Sequence, residues 1–527
     1  MGSEFVGGLS AILLTLLLAC TVIYRLGPPR AVEPDAPPMV FSSGRALRHI
    51  EAIARVPRPV GSVEHDSAGV YIRDTLAATG VSPSVQETPG VTNILARLEG
   101  SARGRAVLIV GHYDTVRESP GAADDASAVA VMLETLRALK AGPPLANDVI
   151  FLFSDAEEVG SLGAKAFVYR HPWAADVAVV LNFEARGSSG PSVMFETNEE
   201  NGWVIDQLAA GAPRPVANSL AYQVYKLLPN DTDLTVFKEA GFAGMNFAFM
   251  DGAANYHTAL DTPANMDHGS LQHHGSNALA LVRRLGNSDL AEVRSPDVVY
   301  FDLLGATLVS YPEGWVLPLA GLCAAAFAAV TMLGLRRGRL TLGGVAVGFA
   351  ALLGSVLGAL VAATLCGWAL RSRRGGAASG DLEMFLYALL TIPVSAFFRL
   401  KLGRRVRAEE LMMGGALWWL ALTVLTSLFL RGGSYLFMWP SLLGLAALAV
   451  VFAAKDREPF SPKHQVVLVL GALPSVILLA PAVYLSCLAL THNSPFYVLL
   501  VVAASALILS ALTPQLRPIA ALSRAEG

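Results

Sequence analysis

Five short segments of the chain carry side chains that could hold metal ions or move protons. Gly-His112-Tyr-Asp114-Thr closes a short apolar run, so it offers an imidazole with a carboxylate two residues on. On its own a His-x-Asp pattern is more often structural; read as functional, His112 binds a metal while Asp114 orients the ligands. Pro120-Gly-Ala-Ala-Asp124-Asp125-Ala-Ser127 precedes a helical segment. Asp125 suits the N-cap there, whereas a carboxylate at the site of Asp124 can offer one oxygen to each of two cations. Asp155-Ala-Glu157-Glu158 follows a second apolar run, and adjacent glutamates suit a division in which one ligates a cation and the other takes a proton from the attacking water. A solvated acidic loop is the plainer account of those three acids. Leu181-Asn182-Phe-Glu184-Ala-Arg186 and Asn255-Tyr256-His257-Thr-Ala-Leu-Asp261 complete the set. Five candidate ligands of His, Asp or Glu type, with no thiolate among them, suit zinc, with cobalt or manganese also compatible. The chain has no Walker loop, no Gly-x-Ser-x-Gly elbow and no dinucleotide fingerprint.

The elements that must position these residues are predicted as an α/β domain over 45–297. Leu47, Ile50 and Ile53 have helical spacing, and Val70, Ile72 and Leu76 follow it less cleanly. Continuous apolar runs at Ala106–Val110, Val149–Phe153, Val177–Leu181 and Met245–Phe249 predict strands buried on both faces, and Ser127–Ala138 predicts a helix between them. The expected sheet is mostly parallel and flanked by helices, with ligands gathered beyond the strand carboxyl ends.

Around this domain the chain is apolar. Of its 527 residues 53% are hydrophobic and 15% charged, and the apolar stretches gather after about residue 315. Residues 1–5 read as a cloning scar, 6–26 as a retained transmembrane signal anchor and 27–44 as a Pro-rich linker. A junction is expected over 298–314 and an all-α membrane domain of about seven helices over 315–512, centred near Phe327, Gly354, Leu390, Leu420, Leu443, Val476 and Ala504, with a tail over 513–527. Arg and Lys concentrate at Arg336, Arg337 and Arg339, at Arg399 through Arg407, and at Lys455, Arg457 and Lys463, which marks alternate loops as cytoplasmic and places the α/β domain on the extracytoplasmic side. Arg371, Arg373 and Arg374 run against that scheme. Cys20, Cys323, Cys366 and Cys487 all lie in apolar stretches, so none can staple the α/β domain. With a net charge of -3 and no basic stripe, no nucleic-acid partner is expected; the lipid bilayer is, and the sequence is silent on oligomeric state.

In order and context the five segments, with Val60-Gly-Ser near their start, resemble the co-catalytic zinc aminopeptidase and carboxypeptidase family, the twenty-eighth metallopeptidase family. The resemblance implies a zinc-exopeptidase-like fold and two zinc ions per chain, one held by His112 and Glu184, the other by Glu158 and His257, with Asp124 bridging. It further implies Glu157 as general base, and Tyr256 as a group that helps polarise the tetrahedral intermediate. Glu184 stands where secreted aminopeptidases carry Asp, and Asp125 where many carry Asn. The plan of one anchor, a peptidase and many spans, with Asn230-Asp231-Thr-Asp233 and Val299-Tyr-Phe-Asp302-Leu-Leu-Gly, is similar to a membrane-bound branch that includes endoplasmic reticulum metallopeptidases and vacuolar membrane proteases. Because the sequence ends soon after its last expected span, the additional soluble region of some relatives is not expected here. The expected function is therefore hydrolysis of peptides from the amino end, with carboxypeptidase or dipeptidase polarity, a catalytically silent receptor, or a transport accessory as the alternatives.

Overall fold

The computed structural model describes residues 2–102, 104–374, 380–403, 406–454, 461–490 and 495–512. They form two compact units, one of Leu26–Glu313 and one of Met1–Arg25 with Gly314–Gly527. The expected tail over 513–527, and Arg404, Arg405, Lys455 and Arg457 of the basic loops, lie outside the described residues.

The first unit is built on an eight-stranded sheet of β1 (Ser84–Thr88), β2 (Val91–Leu98), β3 (Ala106–His112), β4 (Asp148–Ser154), β5 (Val177–Ala185), β6 (Val193–Thr197), β7 (Val216–Ala217) and β8 (Ala243–Phe249), in the order β1-β2-β4-β3-β5-β8-β6-β7. The central strands β4, β3, β5 and β8 run parallel, and β1, β2 and β6 pair antiparallel outside them. Alternate residues of the central strands feed two separate cores. Val107, Ile109, Phe151, Phe153, Leu181 and Phe183 belong to one. Leu108, Val110, Ile150, Leu152 and Val180 belong to the other. Both faces are thus dry, which is why the strand sequences are apolar without alternation. The sequence pattern finds these four strands; it misses β2 and β6, whose mixed residue types carry no clean period.

Helix Ala126–Lys140 packs on the sheet with nearly every residue buried. Residues 27–44, expected as a linker, are held against it. Arg45 donates through Nε to Glu134 Oε1 at 2.8 Å and through its terminal nitrogens to the carbonyls of Pro34, Ala36 and Val40. Phe41 packs against Gly275 of helix His268–Leu285 so closely that a Cβ there would stand 1.9 Å from its ring. The expected junction contains a hairpin, β9 (Val298–Leu303) and β10 (Thr307–Pro312), whose Tyr300 joins the first core.

The second unit is helical. Among the described residues six helices are long and apolar enough to cross a membrane: Glu313–Arg336, Leu342–Leu370, Leu382–Arg399, Ala408–Phe429, Tyr435–Ala453 and Lys463–Ala489. Ser10–Leu26 and Phe496–Ala511 are shorter apolar helices. Every expected span centre falls on one of these helices. Small residues set the packing: a Cβ on Gly414 would meet the Gly348 backbone at 2.3 Å, the close approach that membrane helices use.

Candidate two-metal site

The candidate residues meet beyond the carboxyl ends of the parallel strands, the edge where an open α/β sheet gathers ligands. His112 is the last residue of β3, Glu157 and Glu158 follow β4 by a few residues, Glu184 lies one residue from the end of β5, and His257 sits in the loop after β8. Asp124 stands just before helix Ala126–Lys140, whose N-cap is Asp125: its Oδ1 accepts from the Ala128 amide at 3.2 Å.

Asp124 lies between the two imidazoles. Its Oδ1 is 3.2 Å from His112 Nε2 and its Oδ2 is 3.0 Å from His257 Nε2. Glu184 Oε2 lies 3.8 Å from His112 Nε2, and Glu158 Oε1 lies 3.3 Å from His257 Nε2. The result is two clusters, His112 with Asp124 and Glu184, and Asp124 with Glu158 and His257, each with its ligand atoms within 4.8 Å of one another. Although His257 Nε2 and Glu158 Oε1 are buried and close, neither has an aligned hydrogen bond. Lone pairs that converge on one point without a donor aimed at an acceptor are what a cation needs, and nitrogen and oxygen donors without sulfur fit zinc. The electrostatics agree. Burial alone would lower His257, but the carboxylates of Asp124 and Glu158 hold it up at about 10. Burial would likewise raise Asp124, and the two imidazoles bring it down to about 2. The pocket favours positive charge at both positions.

Asp114 ties the site together. Its Oδ1 is 3.3 Å from His112 Nδ1, which leaves Nε2 to face Asp124. The same carboxylate accepts the backbone amides of Glu157 at 3.1 Å and Glu158 at 3.2 Å. One side chain therefore fixes the ring of a candidate ligand and the turn carrying the two glutamates. That turn enters Glu157 through Ala156 at φ 57°, and His257 itself sits at φ 55°. Left-handed backbone at two non-glycine residues is uncommon and is held only where surrounding bonds over-determine it. Burial pushes the Glu157 carboxyl well above the usual range; Asp233, Glu158 and Asp124 push the same way, against the pull of His112. Tyr256 stacks on His257 with ring centroids 3.8 Å apart, and burial raises its phenol.

Three supporting residues had no role assigned from sequence. Asp261 accepts the amides of Ala123 at 2.8 Å and Asp124 at 3.1 Å, which fixes the backbone that carries the shared carboxylate. It lies in a segment already singled out, but nothing in its spacing shows which backbone it grips. Arg58 is fully buried and donates to the carbonyls of Tyr113, Pro120 and Gly121, spanning the loop between His112 and Asp124. No pattern in the sequence signals it. Asn182 donates to Glu184 Oε1 at 3.1 Å and to Asn246 Oδ1 at 3.0 Å, aiming Glu184 from the neighbouring strand register.

The fold therefore brings imidazole and carboxylate groups together beyond its parallel strands in an arrangement able to hold metal ions. Residues 93–282 match the model of peptidase family M28. It is 34% identical over 301 residues to endoplasmic reticulum metallopeptidase 1 of Rattus norvegicus, covering 51% of this chain and 33% of the rat protein. It is 32% identical over 275 residues to the vacuolar membrane protease of Candida albicans, covering 50% of this chain and 32% of that one. The chain thus spans about a third of the length of the curated relatives it matches. Among solved structures, a zinc aminopeptidase from Bacillus subtilis aligns with a TM-score of 0.39 at 16% identity, over 49% of this chain and 98% of its own. With its six long apolar helices, the chain is a multi-pass membrane protein.

Proposed function

We propose that this chain is a membrane-anchored zinc aminopeptidase that holds two ions per chain, with carboxypeptidase or dipeptidase polarity as the second reading. The observation that carries it is the position of Asp124, one oxygen towards His112 and the other towards His257, each pair completed by a glutamate. In this reading His112 and Glu184 hold one ion, Glu158 and His257 the other, and Asp124 both. When bound, the ions supply Lewis-acid polarisation of the attacking water and the scissile carbonyl.

The chain's own groups do the rest. Glu157, adjacent to Glu158 and left out of both clusters, takes the proton of the attacking water on its carboxylate and returns it to the leaving amine nitrogen. Burial raises the affinity of that carboxylate for a proton, so it can serve as base and then as acid. Asp114 holds both the His112 ring and the Glu157 backbone, so the base is fixed relative to a residue that would hold the first ion. Tyr256 lies beside His257, where its phenol can support the oxyanion of the tetrahedral intermediate. The relatives' names, a metallopeptidase and a membrane protease, support peptides as the substrate class. The experiment is incubation of the purified full chain with defined peptides, with and without chelator, and products read by mass spectrometry. Stepwise loss of amino-terminal residues, abolished by chelator and restored by zinc, is expected; chelator-insensitive cleavage would overturn the reading.

The peptidase domain is proposed to face away from the cytoplasm, on the Arg and Lys bias of alternate loops. Ser101, in an exposed turn, offers a handle. Ser101→Cys in intact cells should react with an impermeant thiol reagent, and protection from it would reverse the orientation.

A further inference from the structure

Besides Arg58, whose guanidinium is taken up by backbone carbonyls, the segments that form the site carry one further fixed cation. Arg186 follows Glu184 by two residues. The pairing of β5 with β8 continues past its last register pair, since the Arg186 amide donates to the Phe249 carbonyl at 3.0 Å. Strand alternation therefore puts Arg186 on the face of β5 that carries Asn182 and Glu184, which bond each other. It is half-buried, and among the described residues its guanidinium has neither a hydrogen bond nor an ion pair. The carboxylate of Glu184, the nearest acid in the chain, is paired instead with Asn182 and His112. A partly desolvated arginine without an anion is costly to keep, and its planar fork suits a carboxylate.

The backbone that presents Arg186 is fixed. Ser188 and Ser189 donate their amides to the Asp251 carbonyl at 2.9 and 3.0 Å. Gly187 lies so near that carbonyl that a Cβ would meet the oxygen at 2.2 Å. Asn255 donates to Ser188 Oγ at 2.7 Å, which ties this loop to the one carrying Tyr256 and His257. Arg186 thus stands on a rigid wall of the crevice, beyond Glu184 and next to the second ligand loop.

We propose that Arg186 binds the free terminal carboxylate of the substrate, which makes short peptides, dipeptides and tripeptides, the preferred class. Two residues of strand span about 7 Å, so a carboxylate held there belongs to a residue within one or two of the scissile bond. A long peptide places an uncharged amide at that point and leaves the guanidinium unmatched. The inference rests on the peptidase reading of the site.

The test compares leucylglycine with leucylglycine amide on the full chain in detergent, in two arms. In the first, the parent, Arg186→Met and Arg186→Lys are assayed for hydrolysis with zinc. The parent should prefer the free acid by about tenfold or more in KM, as loss of a charge-assisted bond implies, and Arg186→Met should lose that preference with kcat little changed while Arg186→Lys keeps part of it. In the second, binding of the same two ligands to Glu157→Gln and to Glu157→Gln/Arg186→Met is measured by calorimetry. If the acid binds more tightly only when Arg186 is present but the parent hydrolyses neither, Arg186 stands and the peptidase reading falls. If acid and amide bind and react alike in the parent, or Arg186→Met weakens both equally, the proposal is wrong.

Discussion

Replacing Glu157 with Ala is expected to lower turnover by about 10² to 10⁴, the range that removal of a general base produces, while zinc content and thermal stability stay near those of the parent. The side chain belongs to neither metal cluster, so its loss leaves His112, Asp124, Glu158, Glu184 and His257 in place. Its position is set through the backbone, by the Asp114 bond to its amide at 3.1 Å, and that bond survives truncation of the side chain. The neighbouring Glu158→Ala should behave oppositely and lose metal, because its Oε1 converges with His257 Nε2 at 3.3 Å. The contrast between two adjacent glutamates separates base from ligand. A Glu157→Ala protein that cleaves peptides at the parent rate with metal bound would remove the base assignment.

Asp124→Asn should be as damaging by a different route. The carboxylate faces both imidazoles at once, at 3.2 and 3.0 Å through different oxygens. An amide keeps one acceptor and turns an N–H₂ towards the other cluster, where it repels a cation. One site then loses its third ligand, so zinc content should fall by at least one ion per chain. Loss of Lewis-acid stabilisation worth several kcal/mol corresponds to a fall in kcat on the order of 10³-fold. The fold should tolerate it, since the backbone of Ala123 and Asp124 is held by Asp261 and not by the Asp124 side chain. Measurement of kcat and bound zinc on the same sample checks this: an Asn variant retaining two ions would show that Asp124 does not bridge.

What was legible in the sequence and what was not divide along physical lines. The four parallel strands stood out because burial on both faces leaves uninterrupted apolar runs, and each run is followed, at once or within several residues, by one of the chemical segments. The expected spans stood out for the same reason, since lipid demands long apolar helices. The outer strands did not: β2 reads Val-Thr-Asn-Ile-Leu-Ala-Arg-Leu, where Asn93 is buried to bond the Gly163 carbonyl and Asp155, so polarity and burial part company. Residues 27–44 looked like a linker because proline and charge dominate them, yet Arg45 satisfies three of their carbonyls and Phe41 is buried. Side chains suited to binding ions announce themselves by type and order along the chain. Side chains that grip backbone do not, because a carbonyl or an amide has no letter in the sequence. Arg58 and Asp261 act wholly in that way.

The most direct test of the account is the number of zinc ions that the purified full chain binds. Protein stripped with chelator, dialysed and titrated with zinc at neutral pH should take up two ions per chain by elemental analysis. Two is the predicted result, because the five side chains form two clusters joined at Asp124. Saturation at one ion, or none, would contradict a shared-aspartate site and with it the proposed mechanism.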